Sequence, residues 1–250
     1  MGDAVVNPAE PEVPAQSFPQ RLIGVFISPS ETFEDVARKP DFWAPLITLL
    51  IGSVAFVETM LWKIGMERLV RSQLEQNPRT ANMSPEDMDK AVATGAKIGS
   101  IFWHVGGIVG PPIALLIFAG IGILIVNVIL GGRASFKTVF STVCYANLVT
   151  LIGTIMAIAL IFFGDPDRFN PASAIPSSVG FFLNQKEVSK PLYSLASSFD
   201  IFSIWFMILL GIGLSKATGG KVKSMPIFLV FAGFWLLYVL AKAGLSMIGS

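Results

Sequence analysis

Five long apolar runs, separated by short charged stretches, constrain this chain more than any other feature. They cover residues 42–62, 101–130, 138–164, 199–215 and 224–241. A membrane-spanning helix needs about 20 apolar residues to cross about 30 Å of hydrocarbon. Three runs meet that length, the fourth does so only if it begins near Tyr193, and the fifth only if it continues past Lys242. We therefore predict an all-α, polytopic membrane protein with a five-helix transmembrane bundle.

The positions of charges and prolines divide the chain into three parts. Residues 1–20 hold four prolines and three acids, which predicts a disordered tail. An interfacial amphipathic segment is expected over residues 21–40, and a five-span membrane domain over residues 41–248. The spans are predicted at about 42–62, 106–130, 138–163, 197–216 and 225–245.

The amphipathic segment contains a helix start signal. Ser28, Pro29 and Glu31 supply the N-cap, the favoured first-turn proline and the third position of a capping box. The helix that follows would place Phe33 and Val36 on one side and charged residues on the other. We interpret it as a helix lying on the bilayer surface. The alternative is a capped surface turn without lipid contact.

A helical pattern continues beyond the first span. Apolar residues recur at helical intervals over 64–74, Asn77-Pro78 breaks the pattern, and Ser84 starts a new helix whose apolar stripe runs into the second span. This predicts a helical hairpin that protrudes from the membrane between spans one and two. Pro111-Pro112 predicts a kink within the second span.

Two acids within or beside apolar runs are candidate functional residues. Glu58 is well inside the first run, where an ionisable group is by default a candidate ion ligand or proton carrier. It also lies one turn from the interface, where it could pair with Lys63. Asp200 begins the fourth span, and it either faces a cavity or stabilises a helix N-terminus.

The remaining polar residues indicate structure more than chemistry. Asn127 and Asn147 are candidate interhelical hydrogen-bond partners, and His104, the single histidine, has no metal-ligand spacing and is expected at the interface. Cys144, the single cysteine, has no base beside it in the sequence. We predict no catalytic, cofactor-binding or metal site, and no enzymatic activity. A net charge of +1 gives no reason to expect nucleic-acid binding.

Several motifs resemble the Yip-domain family of Ypt-interacting membrane proteins, in particular its bacterial members. Asp41-Phe42-Trp43-Ala44-Pro45 resembles the Asp-Leu-Tyr-Gly-Pro motif before the first span of eukaryotic members, with Asp41, Trp43 and Pro45 as the matching positions. Tyr145 stands where those members carry the tyrosine of Gly-Tyr, and the segment ending at Trp205 is similar to the start of span four. The resemblance covers about residues 28–245. It implies a five-helix membrane domain with a cytoplasmic N-terminus, and eukaryotic members are linked to vesicle traffic and prenylated Rab-type GTPases.

Two functions of different classes fit these observations. The first is a non-enzymatic scaffold or adaptor that binds a membrane or cytoplasmic protein or organises the bilayer, which includes the role of an accessory subunit in a larger complex or a homo-oligomer. The alternative is a small ion or solute transporter or channel that uses Glu58 and Asp200. Convergence of these acids with Asn127 and Asn147 on one cavity would favour transport, and scattered placement would favour the scaffold.

The distribution of basic residues predicts the orientation. Short basic loops stay cytoplasmic, and the loops after spans two and four carry Arg133, Lys137, Lys216, Lys221 and Lys223. Basic residues between Lys63 and Arg71 oppose this assignment. We expect an integral protein of the bacterial cytoplasmic membrane with its N-terminus in the cytoplasm and its C-terminus outside.

Protease accessibility of a terminal tag tests this orientation. In inside-out vesicles we expect an N-terminal tag to be digested and a C-terminal tag to be protected. The reverse pattern would show that the basic residues after the first span determine the topology.

Overall fold

The computed structural model describes residues 14–75, 77, 80–164, 176–184 and 187–248. Within these ranges we number ten α-helices in chain order. They are α1 (Phe18–Ile27), α2 (Pro29–Arg38), α3 (Trp43–Lys63), α4 (Met66–Glu75), α5 (Pro85–Ile123), α6 (Phe136–Asn147), α7 (Thr150–Phe163), α8 (Lys190–Ala196), α9 (Ile201–Ala217) and α10 (Ser224–Ile248). A π-helical segment, Leu124–Ile129, continues α5, and a 3-10 turn covers Val179–Phe182.

Four helical segments are long and apolar enough to cross a membrane. They are Trp43–Lys63, Pro85–Ile129, Phe136–Phe163 and Ser224–Met247. The apolar helix α9 has 17 residues and extends about 25 Å. The prediction of an all-α polytopic membrane protein is therefore confirmed. Most of the predicted tail (residues 1–13) and Pro78 of the predicted break lie outside the described residues.

Short connections join the second span to the third, over residues 130–135, and α9 to α10, over residues 218–223, so the two helices of each pair are antiparallel. The rings of Trp62 and Phe162, 5.8 Å apart, show that α3 and α7 end on the same side of the bundle. We call the end at which α3, α6 and α10 begin and α9 ends the N-terminal end of the bundle. The opposite end, at which α3 and α7 end and α9 begins, is the C-terminal end. The hairpin of α4 and the first part of α5 projects at the C-terminal end, as expected.

Two glycines of α5 allow α4 to lie close against it. A Cβ added at Gly95 would come within 2.8 Å of Val70 Cγ1, and one at Gly99 within 3.0 Å of Met66 Sδ. An ion pair between Arg71 and Asp89, 2.7 Å apart, joins the two helices nearer the hairpin turn. The hairpin is therefore a packed unit that continues the spans above it.

The second and third spans both depart from regular α geometry. The second stays helical through Pro111 and Pro112 and changes to π geometry only at Leu124–Ile129. The third is divided, because α6 ends at Asn147 and α7 begins at Thr150. The first departure contains Asn127, and Asn147 lies at the second.

The N-terminal hairpin, formed by α1 and α2, is part of the bundle. Phe33 and Val36, which the sequence places on the apolar face of α2, are fully buried where α2 packs against α6 and α9. The outer face of α1 exposes Ile23 and Ile27. Whether that face contacts lipid, as the interfacial interpretation requires, stays a prediction.

Gly213 of α9 provides the space into which α2 packs. A Cβ added there would overlap Thr142 of α6 and come within 2.8 Å of Phe33 Cδ1. A larger residue must push α2 and α6 away from α9, and overpacking of a dense core costs about 1–3 kcal/mol.

Gly213→Leu should therefore lower the thermal midpoint of the detergent-purified protein clearly, whereas Gly233→Leu should change it little. Gly233 lies on α10, where an added Cβ meets nothing within 4 Å. The midpoint can be measured by size-exclusion chromatography after heating. Equal losses in the two variants would show that α9 is not closely packed at Gly213.

Candidate functional site at the N-terminal end of the bundle

A buried ion pair joins the two helices of the N-terminal hairpin. Arg21 Nη2 lies 2.7 Å from Asp35 Oδ2, and the two side chains are only 4% and 2% exposed. Arg21 Nε donates a second hydrogen bond to the same oxygen at 2.8 Å. Because removing two charges from water is costly, such a pair requires good geometry and further hydrogen bonds.

Further hydrogen bonds support the pair. Arg38 donates to Asp35 Oδ1 at 2.7 Å, and the backbone N–H of Gln16 donates to Oδ2 at 3.1 Å. Arg21 Nη2 donates to the carbonyl oxygen of Lys39 at 3.1 Å. The pair therefore connects the start of α1, the middle of α2 and the segment that leads into α3.

The network extends to the transmembrane core through Tyr145 of α6. This side chain is fully buried, and the Arg21 guanidinium lies 5.7 Å from its ring centroid, within range of a cation–π interaction. The Phe18 ring also packs against Tyr145, with 6.4 Å between the ring centroids. Tyr145, which the sequence singles out only through a motif, thus contacts the N-terminal hairpin directly.

The environment of Asp35 keeps it charged. Burial alone would raise the pKa of this carboxyl group, but hydrogen bonds from Arg21 and Arg38 and the positive charge of Arg21 outweigh burial and lower it. A charge-assisted network of this kind fixes both orientation and charge state. The sequence placed Asp35 on the polar side of α2 and gave no reason to pair it with Arg21.

Asn127 orders the loop between the second and third spans. Its amide nitrogen donates to the Ala134 carbonyl oxygen at 3.0 Å, and its amide oxygen accepts from the Ala134 N–H at 2.9 Å. The loop also needs Gly131, whose φ of +66° suits glycine. Asn127 therefore holds the backbone that carries Arg133 in one position.

Asn147 and Asp200 have local backbone roles. Asn147 ends α6, and its carbonyl oxygen accepts from the Thr150 hydroxyl at 2.8 Å across the division of span three. Asp200 is the N-cap of α9 and accepts from the N–H groups of Phe202 and Ser203 at 2.9 and 3.0 Å. The capping geometry accounts for a carboxylate at the start of an apolar helix.

Glu58 contacts His104, and the sequence alone did not link these two residues. Its Oε1 lies 3.1 Å from Nε2 of His104 on α5, and both side chains are about half exposed. Helix register could have predicted this contact, because Glu58 and His104 each lie 23 positions from residue 81. The pairing of Arg71 with Asp89 follows nearly the same register. An antiparallel hairpin that turns near residue 81 brings Glu58 and His104 together.

The four polar candidates do not converge. Within the described residues, no hydrogen bond joins any two of Glu58, Asn127, Asn147 and Asp200. Glu58 and Asp200 lie toward the C-terminal end of the bundle and Asn127 toward the N-terminal end. The described residues also contain no cluster of three His, Cys, Asp or Glu side chains that could hold a metal ion.

The other motif residues lie near the N-terminal hairpin or the start of α3. Asp41 accepts from the Trp43 N–H at 3.1 Å, Pro45 is buried and Trp43 is exposed. The Trp205 ring packs edge-on against Phe26 of α1 at 5.8 Å. Motifs that are distant in sequence thus lie around the N-terminal hairpin where it packs against the bundle.

The fold and this unit define a polytopic membrane protein with a helical hairpin built into one end of its bundle. Comparison with family models matches residues 23–243 to the Yip1 domain, and the chain belongs to that family, which confirms the resemblance seen in the sequence. The membrane protein YknW of Bacillus subtilis (strain 168) is 32% identical over 203 residues, which cover 81% of this chain and 80% of that protein. No solved structure matches the chain.

Removing one partner of the buried pair should destabilise the protein strongly. Asp35→Ala leaves the Arg21 guanidinium buried without its carboxylate, which typically costs about 3–5 kcal/mol. Glu34→Ala is the matched control, because Glu34 is exposed and its pair with Lys216 lies at the surface. We expect a large fall in unfolding free energy for the first variant and little change for the second, measured by denaturant titration in mild detergent.

The same pair predicts a pH dependence. Because the pKa of Asp35 is lowered in the folded protein, its stabilisation is present above the pKa of the unfolded carboxyl and is lost as pH falls below about pH 4. The difference in stability between wild type and Asp35→Asn should therefore shrink on acidification. A constant difference would show that the charge of Asp35 is not what stabilises the fold.

Proposed function

We propose that this member of the Yip1-domain family is a non-enzymatic membrane adaptor whose N-terminal end binds an acidic segment of a protein partner. The observation that supports this most is the continuous basic surface formed there by three chain segments. We call it the basic rim. Its exposed cations are Arg38, Lys39, Arg133, Lys137, Lys221 and Lys223.

Contacts between the three segments make the basic rim a single surface. A Cβ added at Gly132 would come within 2.8 Å of Val222 Cγ2 and 3.0 Å of Thr218 Cγ2, so the loops after spans two and four touch. Lys216 at the end of α9 pairs with Glu34 of α2 at 2.7 Å. The hairpin and both loops therefore lie side by side.

Internal hydrogen bonds hold these segments in place before any partner binds. Asn127 holds the first loop, and the Thr218 hydroxyl accepts from the Val222 N–H in the second at 3.2 Å. The buried Arg21–Asp35 pair fixes the hairpin. Preorganised surfaces lose less conformational entropy on binding, which favours a docking role.

The placement of the polar candidates supports an adaptor over a transporter. A transport path through the bilayer needs ionisable or polar groups that face a shared cavity. Here Asp200 caps a helix, Asn127 orders a loop and Asn147 lies at a helix break, each in a different part of the bundle. The side chains of Asp200 and Asn127 bind backbone groups, and the side-chain oxygen of Asn147 accepts from the Thr150 hydroxyl at 3.3 Å.

Deleting residues 22–37 would not test partner binding, because Val25, Phe33 and Val36 belong to the hydrophobic core and the deletion would destroy the fold. Surface substitutions avoid this problem. Arg133→Gln, Lys221→Gln and Lys223→Gln together remove half of the cations in the basic rim and no buried group. The matched control replaces three exposed lysines elsewhere, Lys90, Lys97 and Lys242, by glutamine.

With N-terminally tagged proteins purified in mild detergent, we expect the rim variant to recover about tenfold less partner than wild type, as the loss of three surface charge interactions would give. The control variant should recover an unchanged amount. Tag protection in vesicles checks that neither variant changes topology. Equal partner recovery by both variants, or loss of anionic lipid instead of protein, would contradict the proposal.

A further inference from the structure

Glu58 and His104 face each other across the contact between α3 and α5. Besides the 3.1 Å contact between Glu58 Oε1 and His104 Nε2, the other ring nitrogen, Nδ1, lies 2.6 Å from the backbone carbonyl oxygen of Ser100. A carbonyl oxygen only accepts hydrogen bonds, so Nδ1 must carry a hydrogen. The protonation state of Nε2 then depends on Glu58.

The geometry requires one more proton than an ionised carboxylate and a neutral imidazole provide. With the hydrogen on Nδ1, a neutral ring presents a lone pair at Nε2, and an ionised Glu58 presents another at Oε1. Two acceptors at hydrogen-bond distance repel each other. The contact becomes attractive when a proton lies between them, either on the carboxyl oxygen or on Nε2 as part of an imidazolium–carboxylate pair.

We propose that Glu58 and His104 form a proton-binding site that holds α3 against α5 near the C-terminal end of the bundle. The bound proton closes the contact, and its release leaves two facing acceptors that separate. The ligand is a proton, and it reaches the pair from the C-terminal end of the bundle, because Glu58 lies only five residues before Lys63 at the end of α3. The site is independent of the basic rim at the other end.

Other charged residues lie on the helices that pack around Glu58 and His104. Within the described residues, neither Glu58 nor His104 takes part in a second ion pair. On α3, Lys63 lies over the Trp62 and Phe162 rings at 4.6 and 4.3 Å, and on α5 Lys97 lies two turns earlier. The α4 helix contributes Glu67, Arg68, Arg71 and Glu75, with Arg71 bound to Asp89, and α7 contains no ionisable residue.

The contact between α3 and α5 is closely packed at its centre and open on one flank. At the centre of the contact, an added Cβ at Gly107 would come within 2.9 Å of Val57 Cγ2. At 100° per residue, Phe56 and Trp103 lie on the flank opposite Glu58 and His104. That flank contains a groove of about 480 Å³ lined in part by these two residues and by Ser53, Phe102 and Gly106. On the other flank the proton-bound Glu58–His104 pair links the two helices.

The single histidine allows a direct test. Protein labelled with ¹⁵N-histidine and reconstituted in lipid nanodiscs gives signals from His104 alone, and these can be followed from about pH 5 to pH 9, across the range in which histidines change charge. We expect Nδ1 to stay protonated throughout. We expect Glu58→Gln to shift the Nε2 signal of His104, because it replaces the carboxylate that faces this nitrogen. Glu67→Gln, which neutralises an exposed acid on α4, should leave it unchanged.

A stability measurement on the same variants shows whether the proton holds the helices together. At low pH the thermal midpoint of wild type should exceed that of Glu58→Gln. As pH rises the order should reverse, because the glutamine amide can donate to a neutral Nε2 and an ionised Glu58 cannot. Identical Nε2 signals of His104 in wild type and Glu58→Gln, or protonation of Nε2 instead of Nδ1 at high pH, would overturn the proposal. A stability difference that does not depend on pH would overturn it as well.

Discussion

The buried ion pair between Arg21 and Asp35 is the interaction on which the N-terminal end of this protein depends. Two charges that are almost fully removed from water can persist only if they satisfy each other, so α1 and α2 must stay together. Because Phe33 of the same hairpin lies against Gly213 and Thr142, the pair also fixes how the hairpin sits between α6 and α9. The positions of the basic-rim residues on the hairpin therefore depend on this ion pair.

Apolar run length predicted the membrane fold well, because the cost of leaving a backbone polar group unsatisfied in lipid allows few alternatives. The runs at α3, α5, α6–α7 and α10 all became long helices. The same reasoning could not place α2. An amphipathic helix such as Pro29–Arg38 presents the same pattern to a bilayer surface and to a protein core, and only the tertiary contacts of Phe33 and Val36 distinguish the two.

The candidate site was harder to predict, for a physical reason. Arg21 and Asp35 are ordinary charges on a short amphipathic segment, and nothing local shows that both are buried. Glu58 and His104 were each noticed, but their pairing depends on the register of a helical hairpin. The capping role of Asp200 could be predicted from the local sequence, because an acid directly before an apolar helix is a common N-cap. The structure gives Asp200 that geometry.

The central claim, that the N-terminal hairpin is an integral part of the bundle, can be tested by hydrogen–deuterium exchange in lipid nanodiscs. Amide exchange reports the free energy of local opening. The account predicts that amides of α1 and α2 exchange as slowly as those of the buried helix α9. Exchange of α1 and α2 as fast as that of an exposed loop, with α9 still protected, would show that the hairpin lies loosely on the surface and would contradict the account.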